Sequence, residues 1–146
     1  MLRNAFYANA HFDLSHLSKS LYIGNSNLHG QEVIIGGMRD PEFGPMLMFG
    51  LGGIFVEILH DTSYRLVPAT RDELYSMIRE VKDYPLLTGA RGHASVDIDF
   101  LLQTLQTVAW LLTDFPEIVE LDLNPVFTGS DGAFVADGRA VLAETE

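Results

Sequence analysis

The sequence predicts an α+β fold, a mainly antiparallel sheet with two principal helices on one face. Three observations carry that prediction. Apolar or alternating runs in the first and last thirds of the chain are joined by short turn-forming segments, two amphipathic segments lie between them, and the resulting order is strands, helix, helix, strands. Such an order lets the two ends of the chain share one sheet while both helices cover it.

The elements follow in sequence. EVIIGGM and MLMFGLGG flank RDPEFGP, whose prolines and glycine supply turn geometry and cannot continue a ladder, so a hairpin with its turn at Asp40 to Gly44 is expected. IFVEIL and SYRLVPA are read as two further short strands. Thr70 opens a capping box with Glu73, and Leu74, Met77, Ile78 and Val81 follow at helical spacing, which predicts a helix over about 71–82. DYPLLTGARG reads as a loop. A second helix is expected from Ser95 to Asp97 onward, because acidic Asp97 and Asp99 suit the positive end of a helix dipole, and Leu101, Leu105, Val108 and Leu112 form one face. It stops at Pro116. IVELDLNPVF then alternates as a strand, GSDG turns, and AFVADGRAVL returns antiparallel to it.

Composition narrows the function classes. The chain has 146 residues, one average domain, and its 47% hydrophobic content is enough for a core. Nine basic against 20 acidic residues give a formal charge of -11, which argues against a nucleic-acid partner that needs a basic face. The absence of cysteine excludes disulfides, thiolate zinc sites and cysteine nucleophiles. No stretch has the length of a signal peptide or membrane span, so a soluble, cytoplasmic protein without a membrane partner is expected. The acid excess is concentrated at the end of the chain. From Thr113 to Glu146 there are eight acids (Asp114, Glu117, Glu120, Asp122, Asp131, Asp137, Glu144, Glu146) against the single base Arg139.

The most informative segment lies there. In Glu120-Leu121-Asp122-Leu123-Asn124-Pro125, a period of two puts Glu120, Asp122 and Asn124 on one face and the leucines on the other. Two readings stay open, a solvated outer face or a hard-cation site. Magnesium favours the second kind of arrangement, because it is usually held by one or two carboxylates together with substrate phosphates. Asp137 lies 13 residues beyond Asn124, and the GSDG turn folds it back toward Asn124. Asp122, Asn124 and Asp137 would then form a cluster that repels itself, through its two carboxylates, unless a cation is present or a proton is retained.

The runs EVIIGGMRDPEFGPMLMFGLGGIFVEIL, YPLLTGARG, FPEIVELDLNPVF and FVADGRAVL occur in an order that resembles the ATP-grasp domain of the ADP-forming acyl-CoA synthetases, relatives of the succinyl-CoA synthetase β subunit. The resemblance covers about residues 31–143. It implies the second ATP-grasp subdomain, and a chain that binds ATP or ADP with Mg2+ while acyl-CoA, ADP and phosphate are interconverted with acid, CoA and ATP. It also implies magnesium on Asn124 and Asp137, with Asp122 third, and nucleotide or phosphate roles for Arg39 and Glu57. None of His11, His16, His29, His60 and His93 lies in a motif matching the family's phosphate-carrying histidine.

Residues 1–30 do not fit that resemblance and are expected to form a divergent, poorly ordered segment, with 31–146 as the subdomain. The first ATP-grasp subdomain is then missing. The implied partners are that subdomain and a CoA-binding subunit or domain of the same synthetase. A different function class remains open on the same residues, a non-catalytic assembly or regulatory remnant, as in acetyltransferase-linked relatives.

Overall fold

The computed structural model describes residues 30–53, 57–92, 94–130 and 132–143; the expectation for residues 1–29 lies outside them. Six strands, β1 (Gln31–Asp40), β2 (Gly44–Leu51), β3 (Thr62–Leu66), β4 (Ile118–Gly129), β5 (Gly132–Val135) and β6 (Gly138–Leu142), form one sheet with the order β3-β2-β1-β4-β5, and β6 also pairs β4. Every pairing is antiparallel. Among the described residues two α-helices, α1 (Arg71–Glu80) and α2 (Ile98–Asp114), connect β3 to β4 and pack on the same side of the sheet. The expected fold class is therefore the observed one.

Strand periodicity decides which side that is. Val33, Ile35, Leu47, Phe49, Leu51 and Leu121 alternate along the three central strands and are buried with Leu74, Met77 and Ile78 of α1 and Leu101, Leu105 and Leu112 of α2. Burying each of these larger side chains stabilises the fold by roughly 1.5–3 kcal/mol. Gly37 lets α2 approach β1 closely, since a Cβ there would lie 2.7 Å from Leu112 Cδ1.

The helix boundaries follow their caps. Thr70 Oγ1 accepts the Glu73 amide and the Glu73 carboxylate accepts the Thr70 amide, which completes the expected capping box. At the other end the chain leaves α1 at Val81, with φ -65 and ψ 136. There the buried carboxylate of Asp61 accepts the amides of Lys82 (2.9 Å) and Asp83 (3.2 Å). Asp97 caps α2 by accepting the Phe100 amide at 3.0 Å, and its own amide donates to the Gly129 carbonyl at 2.8 Å, tying the helix start to the turn between β4 and β5. Arg65 of β3 forks onto Glu80 of α1 at 2.7 and 2.8 Å.

Three local expectations need correction. IFVEIL is not a strand in its described part. Gly53, at φ 65, turns the chain out of β2, and the Glu57 amide donates to the Gly53 carbonyl at 3.2 Å, a helical i to i−4 bond. Ile58 and Leu59 continue as an exposed turn. The DYPLLTGARG loop holds two short 3-10 turns, Tyr84–Leu86 and Ala90–Gly92. AFVADGRAVL is two strands, β5 and β6, separated at Ala136 and Asp137.

A candidate cation and phosphate site on the open sheet face

The break between β5 and β6 has a counterpart across the hairpin. Opposite it, the register of β4 against β1 slips by one residue: Val33 pairs with Val126, but Ile35 pairs with Leu123. The extra residue falls at Asn124–Pro125, whose peptide bond is cis. Alternation therefore changes phase there, which keeps Leu121 before the bulge and Val126 and Thr128 after it on the buried side. Within the hairpin the Asn124 amide donates to the Asp137 carbonyl at 3.0 Å, and the Ala136 amide donates to the Pro125 carbonyl at 2.9 Å. Asp137 thus stands across from Asn124, as the spacing around the GSDG turn predicts.

Two steps along the same ladder, Asp122 pairs with Arg139 on one side and Gly36 on the other. This residue and Glu120 project from the sheet face opposite the helices, alongside Met38 and Met48. Burial, and next the Glu120 carboxylate, push the Asp122 carboxyl above its ordinary range; Asp137 adds to the shift and the Arg139 guanidinium opposes it. Asn124 is exposed and Asp122 and Asp137 are half-buried.

One atom tests whether these residues suit a cation. Asp137 Oδ1 is buried and has no hydrogen-bond partner. A buried, unpaired carboxylate oxygen is costly, and an ion is one of its ordinary explanations. Asp137, Asp122 and the Asn124 amide are also oxygen donors of the kind that magnesium takes. Among the described residues no three histidine or acidic side chains gather into a metal cage. Two carboxylates and an amide form instead an open donor set that leaves coordination positions for water and phosphate, so the residues fit the group.

The remaining expected site residues lie elsewhere. Arg39 is half-buried at the end of β1, where its Nη2 donates to the Leu112 carbonyl at 2.6 Å and its Nε to the Ile118 carbonyl at 3.4 Å. A cation there satisfies a C-terminal carbonyl of α2 and the first carbonyl of β4, on the covered side of the sheet. Glu57 is exposed in the turn after Gly53. The two hydrogen bonds of Arg39 hold it on the helix side, away from the face that carries Asp122. His60 sits at φ 50 in the turn before β3, and His11, His16, His29 and His93 lie outside the described residues.

One neighbour of the site escaped the sequence reading, Arg139 as the cross-strand partner of Asp122, while Glu120, already on that face by alternation, is the carboxylate that perturbs Asp122. The signal for Arg139 was present. The count that puts Asp137 against Asn124 also puts Arg139 against Asp122.

Known proteins are similar to this chain in sequence and fold. A model of the ATP-grasp domain family matches residues 8–142. The chain is 51% identical over 113 residues to the acetate–CoA ligase (ADP-forming) I β subunit of Pyrococcus furiosus, covering 77% of this chain and 49% of that subunit. It is 50% identical over 115 residues to acetate–CoA ligase (ADP-forming) I of Archaeoglobus fulgidus, covering 79% of this chain and 17% of that one. A solved structure of the dinucleotide-forming acetyl-coenzyme A synthetase 1 of Ca. Korarchaeum cryptofilum, in complex with coenzyme A and Mg-AMPPCP, superposes with a TM-score of 0.76 at 47% identity, covering 79% of this chain and 54% of that chain. The chain thus spans about half the length of the β subunit and about a sixth of the longer ligase. Family model, sequence identity and the six-stranded sheet agree, and the chain belongs to the ATP-grasp domain family.

Proposed function

We propose that this chain is the magnesium- and nucleotide-binding part of an acid–thiol ligase, which interconverts acyl-CoA, ADP and phosphate with acid, CoA and ATP. The observation that carries the reading is the buried, unpartnered Asp137 Oδ1, with Asn124 across from it and Asp122 two residues further along β4. Asn124, Asp137 and Asp122 would hold Mg2+, and when bound the ion supplies the positive charge that neutralises nucleotide phosphates during phosphoryl transfer. The chain's own contribution is positioning. The strand pairing fixes the three oxygen donors relative to one another, and the adjoining open sheet face receives the nucleotide. The ADP-forming ligases to which the chain is similar support this reading, as does the Mg-AMPPCP complex of its structural neighbour.

The relatives are longer than this chain, so the reading assigns CoA binding and the first ATP-grasp subdomain to other segments or chains of the same synthetase. Among the described residues no helix is long and apolar enough to cross a membrane. The reading places the protein with the ATP and CoA pools of the cytoplasm.

Calorimetric titration of the chain with MgADP, alone and together with a CoA-binding partner subunit, tests the proposal. Binding in either preparation is expected, with Asn124→Ala and Asp137→Ala each weakening it by roughly tenfold or more, the loss expected for a charge-assisted contact. A wild-type chain that binds in neither preparation, or variants that bind and support turnover like wild type, would overturn it.

A further inference from the structure

Arg139 occupies an unusual position among the described cations. It is the cross-strand neighbour of Asp122 and lies two residues after Asp137, beside the acidic donors. The other described basic side chains are committed elsewhere or lie off the sheet. Arg39 serves carbonyls on the covered side, Arg65 pairs with Glu80, Arg71 with Asp99, and Arg79 stacks over the Tyr75 ring, while Lys82 and Arg91 belong to the segments between α1 and α2. By contrast, Arg139 is exposed and its side chain forms no hydrogen bond or ion pair among the described residues. Of the described cations it alone stands on the open face.

That placement presents an electrostatic problem and one answer to it. Glu120, Asp122 and Asp137 make this end of the face strongly negative, yet the proposed ligand is an anion carrying several phosphate charges. A single divalent ion offsets only part of that repulsion. A guanidinium is long, permanently charged and forked, which suits it both to a carboxylate and to two oxygens of one phosphate.

Building on the magnesium and nucleotide reading above, we propose that Arg139 is a phosphate-binding residue of this site: it balances Asp122 in the cation-free chain and turns to the nucleotide phosphates in the loaded one. The consequence is a pair of opposite effects. Without nucleotide, the Arg139 charge competes with a metal ion for Asp122, whereas with nucleotide it adds to binding.

The test uses the full 146-residue chain and the variants Arg139→Gln and Arg139→Lys. Mn2+ alone, followed by electron paramagnetic resonance, reports the bare cation site, and calorimetry with MgADP reports the loaded one, in whichever preparation the wild-type chain binds. Arg139→Gln is expected to bind Mn2+ a few-fold more tightly, since a nearby positive charge has gone, and MgADP roughly tenfold more weakly, since a charge-assisted contact has gone. Arg139→Lys keeps the charge and loses the fork, so its Mn2+ affinity stays near wild type and its MgADP affinity falls between the other two. Unchanged constants in Arg139→Gln, or both moving in the same direction, overturn the assignment. A wild-type chain that binds neither Mn2+ nor MgADP overturns the underlying site reading, a failure recognisable before any variant is made.

Discussion

The two faces of this sheet are built from the same strands but obey different rules. Toward the helices, Val33, Ile35, Leu47, Phe49 and Leu121 are closed off almost completely. Toward the other side Ile34 is buried, but the positions further along the strands include Met38 at 45% exposure, Tyr64 at 46% and Leu66 at 51%, together with Glu120, Asp122 and Arg139. The first face earns its burial from close packing of aliphatic and aromatic groups. Its opposite carries charges at spacings that packing does not require and that repulsion penalises. On the proposed reading, stability and ligand chemistry are divided between the faces, and a substitution on one should leave the other's property largely intact.

The largest effect expected from breaking that division lies in the core. Phe49 is fully buried between the sheet and the helices, so Phe49→Ala should cost about 3–5 kcal/mol in urea-induced unfolding. Its folded fraction should keep wild-type Mn2+ affinity. Loss of metal binding at full folding would mean that the two faces are coupled.

Arg39 sharpens the comparison, because a phosphate role would assign it to the open face while its hydrogen bonds to Leu112 and Ile118 assign it to the helix side. Arg39→Met should destabilise the chain by about 1–3 kcal/mol, the range for losing a charged hydrogen bond and leaving carbonyls unpaired. A stable variant with weakened MgADP affinity would return Arg39 to the phosphate side.

The smallest expected effect has the opposite sign. Asp122 holds its proton more tightly in the folded chain than an ordinary aspartate does, mainly through burial and the Glu120 charge. Folding stability therefore falls as pH rises from the ordinary aspartate value through the raised one, and the whole cost is present above both. In metal-free buffer, Asp122→Asn should melt slightly above wild type at pH 7, with the gain disappearing when both carboxyls are protonated. Melting curves at neutral and strongly acidic pH decide this. A lower melting temperature at pH 7 would place Asp122 among the stabilising residues.

Local signals were the legible part of the fold. Thr70 with Glu73, Asp97 before α2, and the Asp40 to Gly44 turn each act within a few residues of themselves, and all appear where the sequence places them. IFVEIL misleads because its apolar run suggests a strand, whereas the positive φ at Gly53 redirects the chain before Glu57. Asp61 gives no local sign of its role, since the amides that it caps lie 21 and 22 residues away. In the site, the pairing of Asn124 with Asp137 was legible by counting around one turn. The direction of Arg39 was not, because its acceptor Leu112 is 73 residues distant.

The amino-acid sequence by itself determined the α+β order, the Thr70 cap, the acidic start of α2 and the acidic hairpin carrying Asp122, Asn124 and Asp137, because caps, periodicity and hairpin register depend on neighbours close along the chain. Only the tertiary structure decided which side of each strand is covered, where β4 slips against β1, and that Asp137 Oδ1 is buried without a partner. Those outcomes depend on β1 and β4 lying side by side although about 90 residues separate such partners as Val33 and Val126. Burial and hydrogen bonding between segments so far apart are settled when the sheet assembles, beyond the reach of any local pattern.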